Sequence, residues 1–368
     1  MGISARGAAI GALLWLHGTP CPAGDLNPPA APAPTVGPEA RIAVSEVNTP
    51  GNAEAAFRIR ESGSYHLTGN VTLAQGDLRH GIRIEVDNVT LDLNGFTLSG
   101  TDLPADSGPG TSLTGIFGSG ELANIRVLNG IVQGWGAMGV DLRDVSGGEL
   151  RGLVAANCGQ TGLYLGSGFT VSQCVGRDNG SYGFLGGTAS TFTECAAEGN
   201  TSHGAFVGAG TSVSNSTFRR NGGSGIITTG PVNISQCTAE LNTGSGIRAQ
   251  GRTRVEGCIA SDNTGSGIAI LTGNCLIVGN QCYSNGDGDD AGISVESGAF
   301  SRIEGNNVTD NSSTGIRVSV NRNIVIGNTA ADNATPFDIV PGSATGAVLD
   351  VSAGGEITST NPWRNFAY

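Results

Sequence analysis

The stretch GFLGGTASTFTECAAEGNTSH, residues 183–203, decides how this chain folds. The next stretch, GAFVGAGTSVSNSTFRRNGGS at residues 204–224, has the same length and the same pattern. In both, a Gly and an apolar residue open the unit, a small residue follows twelve positions later, and an Asn lies four positions before the next opening Gly. A unit of this length that repeats in register predicts a repeat architecture.

The same period extends over the middle of the chain in three columns of residues. The glycine column is Gly162, Gly183, Gly204, Gly225, Gly246 and Gly267. The asparagine column is Asn179, Asn200, Asn221, Asn242, Asn263 and Asn311. The third column is Cys174, Cys195, Ser216, Cys237 and Cys258, continued by Asn280, Asn306 and Asn328. We expect amides in register to hydrogen-bond from unit to unit, and we expect the glycines to supply a corner conformation that a Cβ would hinder.

Between these columns, apolar and polar residues alternate over three to five positions, as in Phe192-Thr193-Glu194-Cys195. This period is typical of short strands, and residues 110–335 show no sustained helical period. The leucine-rich pattern and the hexapeptide period of a left-handed helix are both absent. The sequence therefore predicts an all-β fold, a right-handed parallel β-helix solenoid of about 11–12 coils stacked about 4.8 Å apart.

One segment of the chain also resembles a known superfamily. The residues Asn88-Val-Thr-Leu-Asp-Leu-Asn-Gly-Phe-Thr-Leu-Ser-Gly100 are similar to the first-coil segment of NosD-like and epimerase-like members of the right-handed β-helix superfamily. This superfamily includes pectate lyases, polygalacturonases, mannuronan C5-epimerases and NosD-like periplasmic proteins. The resemblance covers about residues 65–340 and implies the fold more strongly than an activity.

The catalytic segments of these relatives are missing. Asp289-Asp290 matches the Asp-Asp pair of polygalacturonases, but their Asn-Thr-Asp and Gly-His-Gly segments are absent, as is the Asp-Pro-His-Asp segment of mannuronan epimerases. The resemblance leaves open an Arg base with calcium, as in pectate lyases, for which Arg248 and Arg317 are candidates. A glycosidase pair, Glu198 and Glu240, would lie two coils apart, at roughly 10 Å.

The segment that precedes Arg41 has the composition of a targeting segment and a linker. Arg6 precedes the apolar run of residues 8–16, which is too short to span a bilayer and is typical of a secretory signal. We assign residues 1–23 to a signal peptide, 24–40 to a Pro/Ala-rich linker, 41–75 to an N-terminal cap, 76–340 to the β-helix and 341–368 to a C-terminal cap or tail. A secreted or cell-envelope location follows. A lipid anchor at Cys21 is less favoured, because Pro20 precedes it.

The charge balance excludes one class of partner. The chain has 31 acids, 19 basic residues that are all Arg, and a net charge of -12. A protein that binds nucleic acid needs a basic face to neutralise phosphates, so a nucleic-acid partner is not expected.

Four cysteines fall in the third column as small, stackable residues. Neighbouring coils would bring Cys174 near Cys195 and Cys237 near Cys258, which permits a disulfide. Because side chains in register point the same way, the sequence favours buried thiols over bridges.

Candidate ligand-binding residues follow from the alternation after each corner glycine. The first residue points inward and the second outward, which places a row of large apolar side chains on the outside of consecutive coils. Such a row suits sugar rings. We predict a substrate-binding face formed by Tyr164, Tyr182, His203, Phe206 and Arg248. The alternative is that a loop or the N-terminal segment covers this row.

An acidic loop near residue 290 is a candidate metal site. Asp287, Asp289 and Asp290 alternate with glycines, as oxygen ligands of Ca²⁺ often do. A solvated acidic loop is the alternative, and no other cofactor is expected.

Two functional hypotheses from different classes follow, with a structural rod as a third. The first is an exported protein that binds a polysaccharide or a cell-surface component through its lateral face. The second is a lyase, epimerase or hydrolase that acts on an acidic polysaccharide, with Ca²⁺ as the candidate cofactor.

Overall fold

The structure, a computed structural model, describes residues 41–74, 76–100, 113–288, 290–354, 357 and 359–368. The assigned signal peptide, the linker, Cys21 and most of the loop after Gly100 lie outside these residues. Every regular element of the described chain is a β-strand, and each coil contributes strands to three faces. Face 1 is a sheet of 13 strands: Ala55–Ile59, His80–Ile84, Ile116–Gly118, Val140–Leu142, Leu163–Leu165, Phe184–Gly186, Ala205–Val207, Ile226–Thr228, Ile247–Ala249, Ile268–Ile270, Ala291–Val295, Thr314–Val318 and Thr335–Ile339.

Faces 2 and 3 belong to one sheet of 26 strands, because two long strands, Leu122–Gln133 and Val145–Ala156, continue from one face to the other. The other strands of face 2 are Ile42–Ala43, Gly63–His66, Val89–Asp92, Phe169–Ser172, Thr191–Thr193, Ser212–Ser214, Asn233–Ser235, Arg254–Glu256, Leu276–Val278, Arg302–Glu304, Ile324–Ile326 and Ala344–Thr345. The other strands of face 3 are Val71–Thr72, Thr97–Ser99, Val175–Arg177, Ala196–Glu198, Thr217–Arg219, Thr238–Glu240, Ile259–Ser261, Gln281–Tyr283, Asn307–Thr309, Thr329–Ala331, Val348–Asp350 and Asn365–Ala367.

The ladders between coils are parallel and in register with the repeat. Phe184 pairs with Ala205 on face 1, Phe192 with Val213 on face 2, and Ala197 with Phe218 on face 3, each pair separated by one repeat of the sequence. The expected parallel β-solenoid is confirmed, with 13 strands stacked on face 1. The estimate of 11–12 coils was short because residues 41–75 already form strands, and Ala55–Ile59 pairs with His80–Ile84 as the first coil of face 1.

Along each strand, side chains point alternately into the interior and out to the surface. Along face 1, Leu163, Phe184, Ile226 and Ile247 are fully buried and stack above one another in a continuous core. A fully buried side chain of this size contributes about 1.5–3 kcal/mol of hydrophobic stabilisation. The core therefore extends along the solenoid, and each coil depends on its neighbours for burial.

The asparagine columns form the expected amide ladders. The Asn200 amide Nδ2 donates to Asn221 Oδ1 at 2.9 Å, and the Asn221 amide donates to Asn242 Oδ1 at the same distance. Each Oδ1 also accepts the backbone N–H of the previous ladder residue, such as Asn200 N at 3.2 Å. A second ladder joins Asn280, Asn306, Asn328 and Asn365. These bonds satisfy amides that are buried, where an unpaired group would be costly.

The corner glycines do not supply a special backbone conformation, so the reason that the sequence suggested for them was wrong. None of the six has a positive φ; a Cβ on Gly183 would instead lie 2.8 Å from the carbonyl oxygen of Gly204, and the other five are equally tight. The left-handed conformations lie at two other corners, one residue before each ladder column, and include Glu194, Arg220 and Leu241. The glycines are therefore required by close packing between coils, not by backbone conformation.

The C-terminal segment closes the last coil through a strand. Asn365–Ala367 pairs with Thr329–Ala331 and Val348–Asp350, with Asn365 and Ala367 buried. Two aromatic residues flank this strand, and Trp363 and Tyr368 are each 54% exposed. Alternation within the strand turns Phe366 outward between the buried Asn365 and Ala367, and Phe366 is partly exposed.

Candidate functional site

The outward column of face 1 follows one line along the solenoid. Cross-strand pairing joins, in order, Arg58, Arg83, Phe117, Asp141, Tyr164, Leu185, Phe206, Ile227, Arg248, Ala269, Ser294, Arg317 and Asp338. Tyr164, Leu185 and Phe206 are partly exposed on consecutive coils, while Ile227 is buried. Tyr164, Phe206 and Arg248 thus share one column, and this column is the candidate functional site.

Two aromatic residues at the preceding corner extend the column sideways. The Tyr182 ring lies 5.7 Å from the His203 ring and 5.9 Å from the Phe206 ring, the latter in an edge-to-face arrangement. Both Tyr182 and His203 are partly exposed. Such contacts hold the rings in place and leave part of their faces available, so the cluster is a preformed aromatic platform.

The hydrogen bond of His203 determines which of its nitrogens is available to a ligand. His203 Nδ1 accepts the backbone N–H of Ser224 at 2.7 Å. Burial lowers the pKa of His203, and the nearby positive charge of Arg248 lowers it further. The ring is therefore neutral near pH 7 with its proton on Nε2. In this state it offers a donor, whereas a general base would need a free lone pair.

Tyr164 has a charged partner of its own. The guanidinium of Arg143 lies 4.3 Å from the centre of the Tyr164 ring, within cation–π range. Arg143 also donates to Asp141, with Nη2 at 2.7 Å from Oδ2, and this bond raises the pKa of Arg143. The pair orients the Tyr164 ring at the N-terminal end of the platform.

The second half of face 1 contains a shallow groove. Two clefts of 420 and 360 Å³ share Asp287, Asp290 and Glu296 in their walls. Arg248 lines the first cleft and Arg317 the second. The acidic loop and the outward arginines, which the sequence treated separately, therefore lie side by side.

The carboxylates of this groove are held by hydroxyl groups. Ser266 Oγ donates to Asp290 Oδ1 at 3.1 Å, and Ser294 Oγ lies 3.5 Å from Glu296 Oε1. Within the described ranges, no cluster of three or more His, Cys, Asp or Glu side chains could hold a metal ion. Asp289 lies outside the described residues, so the calcium hypothesis stays a prediction that involves Asp287 and Asp290.

The cysteines that the structure describes are buried inside the solenoid. The described ones are all free and buried: Cys158, Cys174, Cys195, Cys237, Cys258, Cys275 and Cys282. Burial raises the pKa of Cys174 to about 12 and that of Cys195 to about 11. Cys174 and Cys195 therefore stay protonated at neutral pH, and a protonated thiol is a poor nucleophile because only the thiolate reacts strongly.

The proposed carboxylate pair on face 3 is neutralised. Arg219 lies between Glu198 and Glu240, with Nε 3.1 Å from Glu198 and Nη1 4.0 Å from Glu240. Arg220 Nη1 also donates to Glu198 at 3.1 Å. A glycosidase role for this pair has no support in the geometry, since both acids serve as ion-pair partners.

Sequence reasoning missed several residues of the site. Phe117 and Asp141 occupy the outward column, and their positions two residues after Gly115 and Gly139 could have revealed them. Glu296 was missed as well, because its place in the groove depends on how the strand after the acidic loop ends.

The stacked parallel ladders and the open lateral face define this molecule as a parallel β-solenoid. The family model of the right-handed β-helix region matches residues 39–233 and 224–363, so the chain belongs to the right-handed β-helix family. The handedness and the superfamily resemblance inferred from the sequence are thereby confirmed.

Solved structures of similar fold include alginate-modifying enzymes. The A-module of the Azotobacter vinelandii mannuronan C-5 epimerase AlgE4 is 16% identical, with a TM-score of 0.59, over 83% of this chain and 88% of that chain. The A-module of the A. vinelandii mannuronan C-5 epimerase AlgE6 is 15% identical, with a TM-score of 0.57, over 89% of this chain and 88% of that chain. The periplasmic alginate epimerase AlgG is 13% identical, with a TM-score of 0.51, over 88% of this chain and 80% of that chain. At these identities the similarity concerns the fold.

A search of curated proteins finds no match to this sequence. Among the residues that the structure describes, no helix is long and apolar enough to cross a membrane.

Proposed function

We propose that this chain is an exported protein that binds a polysaccharide through the outward column of face 1. The observation that carries the proposal is the aromatic platform of Tyr164, Phe206, Tyr182 and His203, together with Leu185. These side chains lie on consecutive coils about 4.8 Å apart, and they remain partly exposed. A polymer that runs along the solenoid would contact them one after another.

The chemistry of the platform suits sugar rings. Aromatic faces pack against the C–H faces of a pyranose, and the neutral His203 adds an Nε2–H donor for a hydroxyl group. Structures of similar fold belong to enzymes that act on mannuronan and alginate, which are polysaccharides. The assigned signal peptide supports export, which would bring the protein to extracellular polymers.

The test is affinity electrophoresis of the mature full chain in gels that contain different cell-surface polysaccharides. We expect retardation by at least one polymer, and we expect Tyr164→Ala and Phe206→Ala to weaken it about fivefold or more. Tyr283→Ala is the matched control, because Tyr283 is an aromatic residue of face 3 that is 38% exposed. If no polymer binds, or if all three variants behave alike, the proposal is wrong and the structural rod is favoured.

An enzyme that acts on an acidic polysaccharide is the second candidate. The groove favours it, because Arg248 and Arg317 lie beside Asp287, Asp290 and Glu296. A lyase would release an unsaturated product, so a rise in ultraviolet absorbance on uronate polymers, with and without Ca²⁺, tests this candidate. An epimerase would change the proton NMR spectrum of the polymer, and a hydrolase would release reducing ends. None of these changes is expected if the face only binds.

A further inference from the structure

We infer that the ligand of face 1 is an uncharged polysaccharide and that the groove carboxylates recognise its hydroxyl groups. This inference rests on the proposed function, and it specifies the chemical class of the ligand. It follows from the charges along the outward column and from the partners that each charge already has.

The arginines along face 1 are mostly neutralised by carboxylates of the protein. Arg58 makes two hydrogen bonds to Glu85, at 2.9 and 2.8 Å, and Arg83 pairs with Glu54 and Glu85. The other two are Arg143, paired with Asp141, and Arg317, 3.8 Å from Asp338. A guanidinium that already binds a carboxylate has little attraction left for an anionic sugar.

Arg248 is different, because no described carboxylate forms an ion pair with it. It is nevertheless one cation in a groove whose walls carry Asp287, Asp290 and Glu296. A uronate polymer carries a charge on every sugar and would meet these three acids. The whole chain, with a net charge of -12, would also repel it.

Uncharged sugars fit the same groove. Ser266 and Ser294 occupy part of the acceptor capacity of Asp290 and Glu296. Because an ionised carboxylate accepts about four hydrogen bonds, both acids keep free lone pairs for sugar hydroxyls. Arg248 supplies donors for neighbouring hydroxyl oxygens, and the aromatic platform binds adjoining rings.

The experiment compares two classes of polymer on the mature full chain by affinity electrophoresis. The uncharged probes are mannan, xylan and mixed-linkage β-glucan, and the charged probes are polymannuronate and polygalacturonate. We expect retardation by at least one uncharged polymer, insensitive to added NaCl, and no retardation by either polyuronate. The double substitution Asp290→Asn and Glu296→Gln should weaken binding of the uncharged polymer roughly tenfold, since two acceptors for hydroxyl groups lose their charge.

The double variant should bind an uncharged polymer more weakly than the wild type does, whereas it should bind a polyuronate more tightly. The direction of the change in affinity therefore distinguishes the two classes of polymer. If a polyuronate binds the wild type, the inference is overturned, and tighter binding of that polymer by the double variant would give the reason. The proposed function would then survive as long as Phe206→Ala weakens that complex. If neither class binds, the proposed function fails and the inference fails with it. The circular dichroism spectrum and the melting temperature of the double variant check that its coils are intact.

Discussion

The outward columns of face 1 and face 3 use charge in different ways. On face 3, Arg177, Glu198, Arg219 and Glu240 alternate in register, so each acid lies beside an arginine of a neighbouring coil. On face 1, the corresponding coils carry Tyr164, Leu185, Phe206 and Ile227, followed by Arg248, which forms no ion pair with a described carboxylate. Both columns come from the same repeat and the same strand alternation.

This difference separates a structural surface from a candidate binding surface. Exposed ion pairs such as those of face 3 contribute little stability, typically about 0–1 kcal/mol, and charges that are already paired have little attraction left for a charged ligand. Partly exposed aromatic side chains on consecutive coils remain available for contact. The predictions below test this contrast, starting with the largest expected effect.

The largest effect should be a difference in the free energy of unfolding between variants of two phenylalanines, one that points into the core and one that points outward. Phe218, on face 3, is 1% exposed and points into the core, so Phe218→Ala should lower the free energy of unfolding by about 3–5 kcal/mol. Phe206→Ala should lower the free energy of unfolding by no more than about 1 kcal/mol, because the Phe206 side chain lies on the surface of face 1. Urea unfolding followed by circular dichroism measures both. Equal losses would mean that Phe206 belongs to the core and would contradict the binding surface.

The next largest effect should be the pH dependence of polysaccharide binding. The pKa of His203 is lowered from 6.5, so the neutral ring dominates at pH 6.5 and above and gains a proton only as the pH falls below this value. Protonation at Nδ1 removes the acceptor for Ser224 N–H, so affinity should fall roughly tenfold at low pH. Measurements are kept above about pH 5, where carboxylates remain ionised.

The matched control for this pH dependence is His203→Gln. Glutamine keeps an acceptor and a donor but cannot be protonated, so its affinity should stay level as the pH falls. If the wild type and this variant fall in parallel, another group is responsible for the pH dependence.

A smaller difference in polysaccharide affinity should distinguish an arginine of face 1 from an arginine of face 3. Arg248→Gln should weaken polysaccharide binding about fivefold, as expected when a hydrogen bond worth about 1 kcal/mol is lost. Arg219→Gln should leave binding unchanged, because Arg219 neutralises Glu198 and Glu240 on another face. Isothermal titration with an oligosaccharide of the bound polymer measures both, and equal losses would remove the distinction between the columns.

Calcium should give the smallest effect. Asp287, Asp290 and Glu296 line the groove, but no three described acids converge closely enough to hold a metal ion. We therefore expect weak binding, with a dissociation constant of roughly 10⁻³ M. Asp287→Asn should weaken it further. Calorimetric titration with CaCl₂ measures the affinity, and an unchanged constant in the variant would exclude Asp287 as a ligand.

The sequence predicted the fold well because each coil repeats the same contacts. Asn200, Asn221 and Asn242 recur at the period of the repeat, and only stacked coils place such residues within hydrogen-bond distance. The outward column was predictable for the same reason, since alternation after the corner glycine decides which side chain points out. The role of Gly183 was not predictable, because the approach of the Gly204 carbonyl depends on how tightly the coils stack.

The sequence by itself thus determined the coil period, the amide ladders and the identity of the outward residues. Only the tertiary structure decided which charges are paired and which loops meet. Asp290 lies beside Arg248 and Arg317 because the acidic loop precedes the strand Ala291–Val295, whose coil lies between the coils that carry these two arginines. A periodic sequence specifies the neighbours above and below each residue, whereas contacts across a corner depend on loop conformation, which has no period.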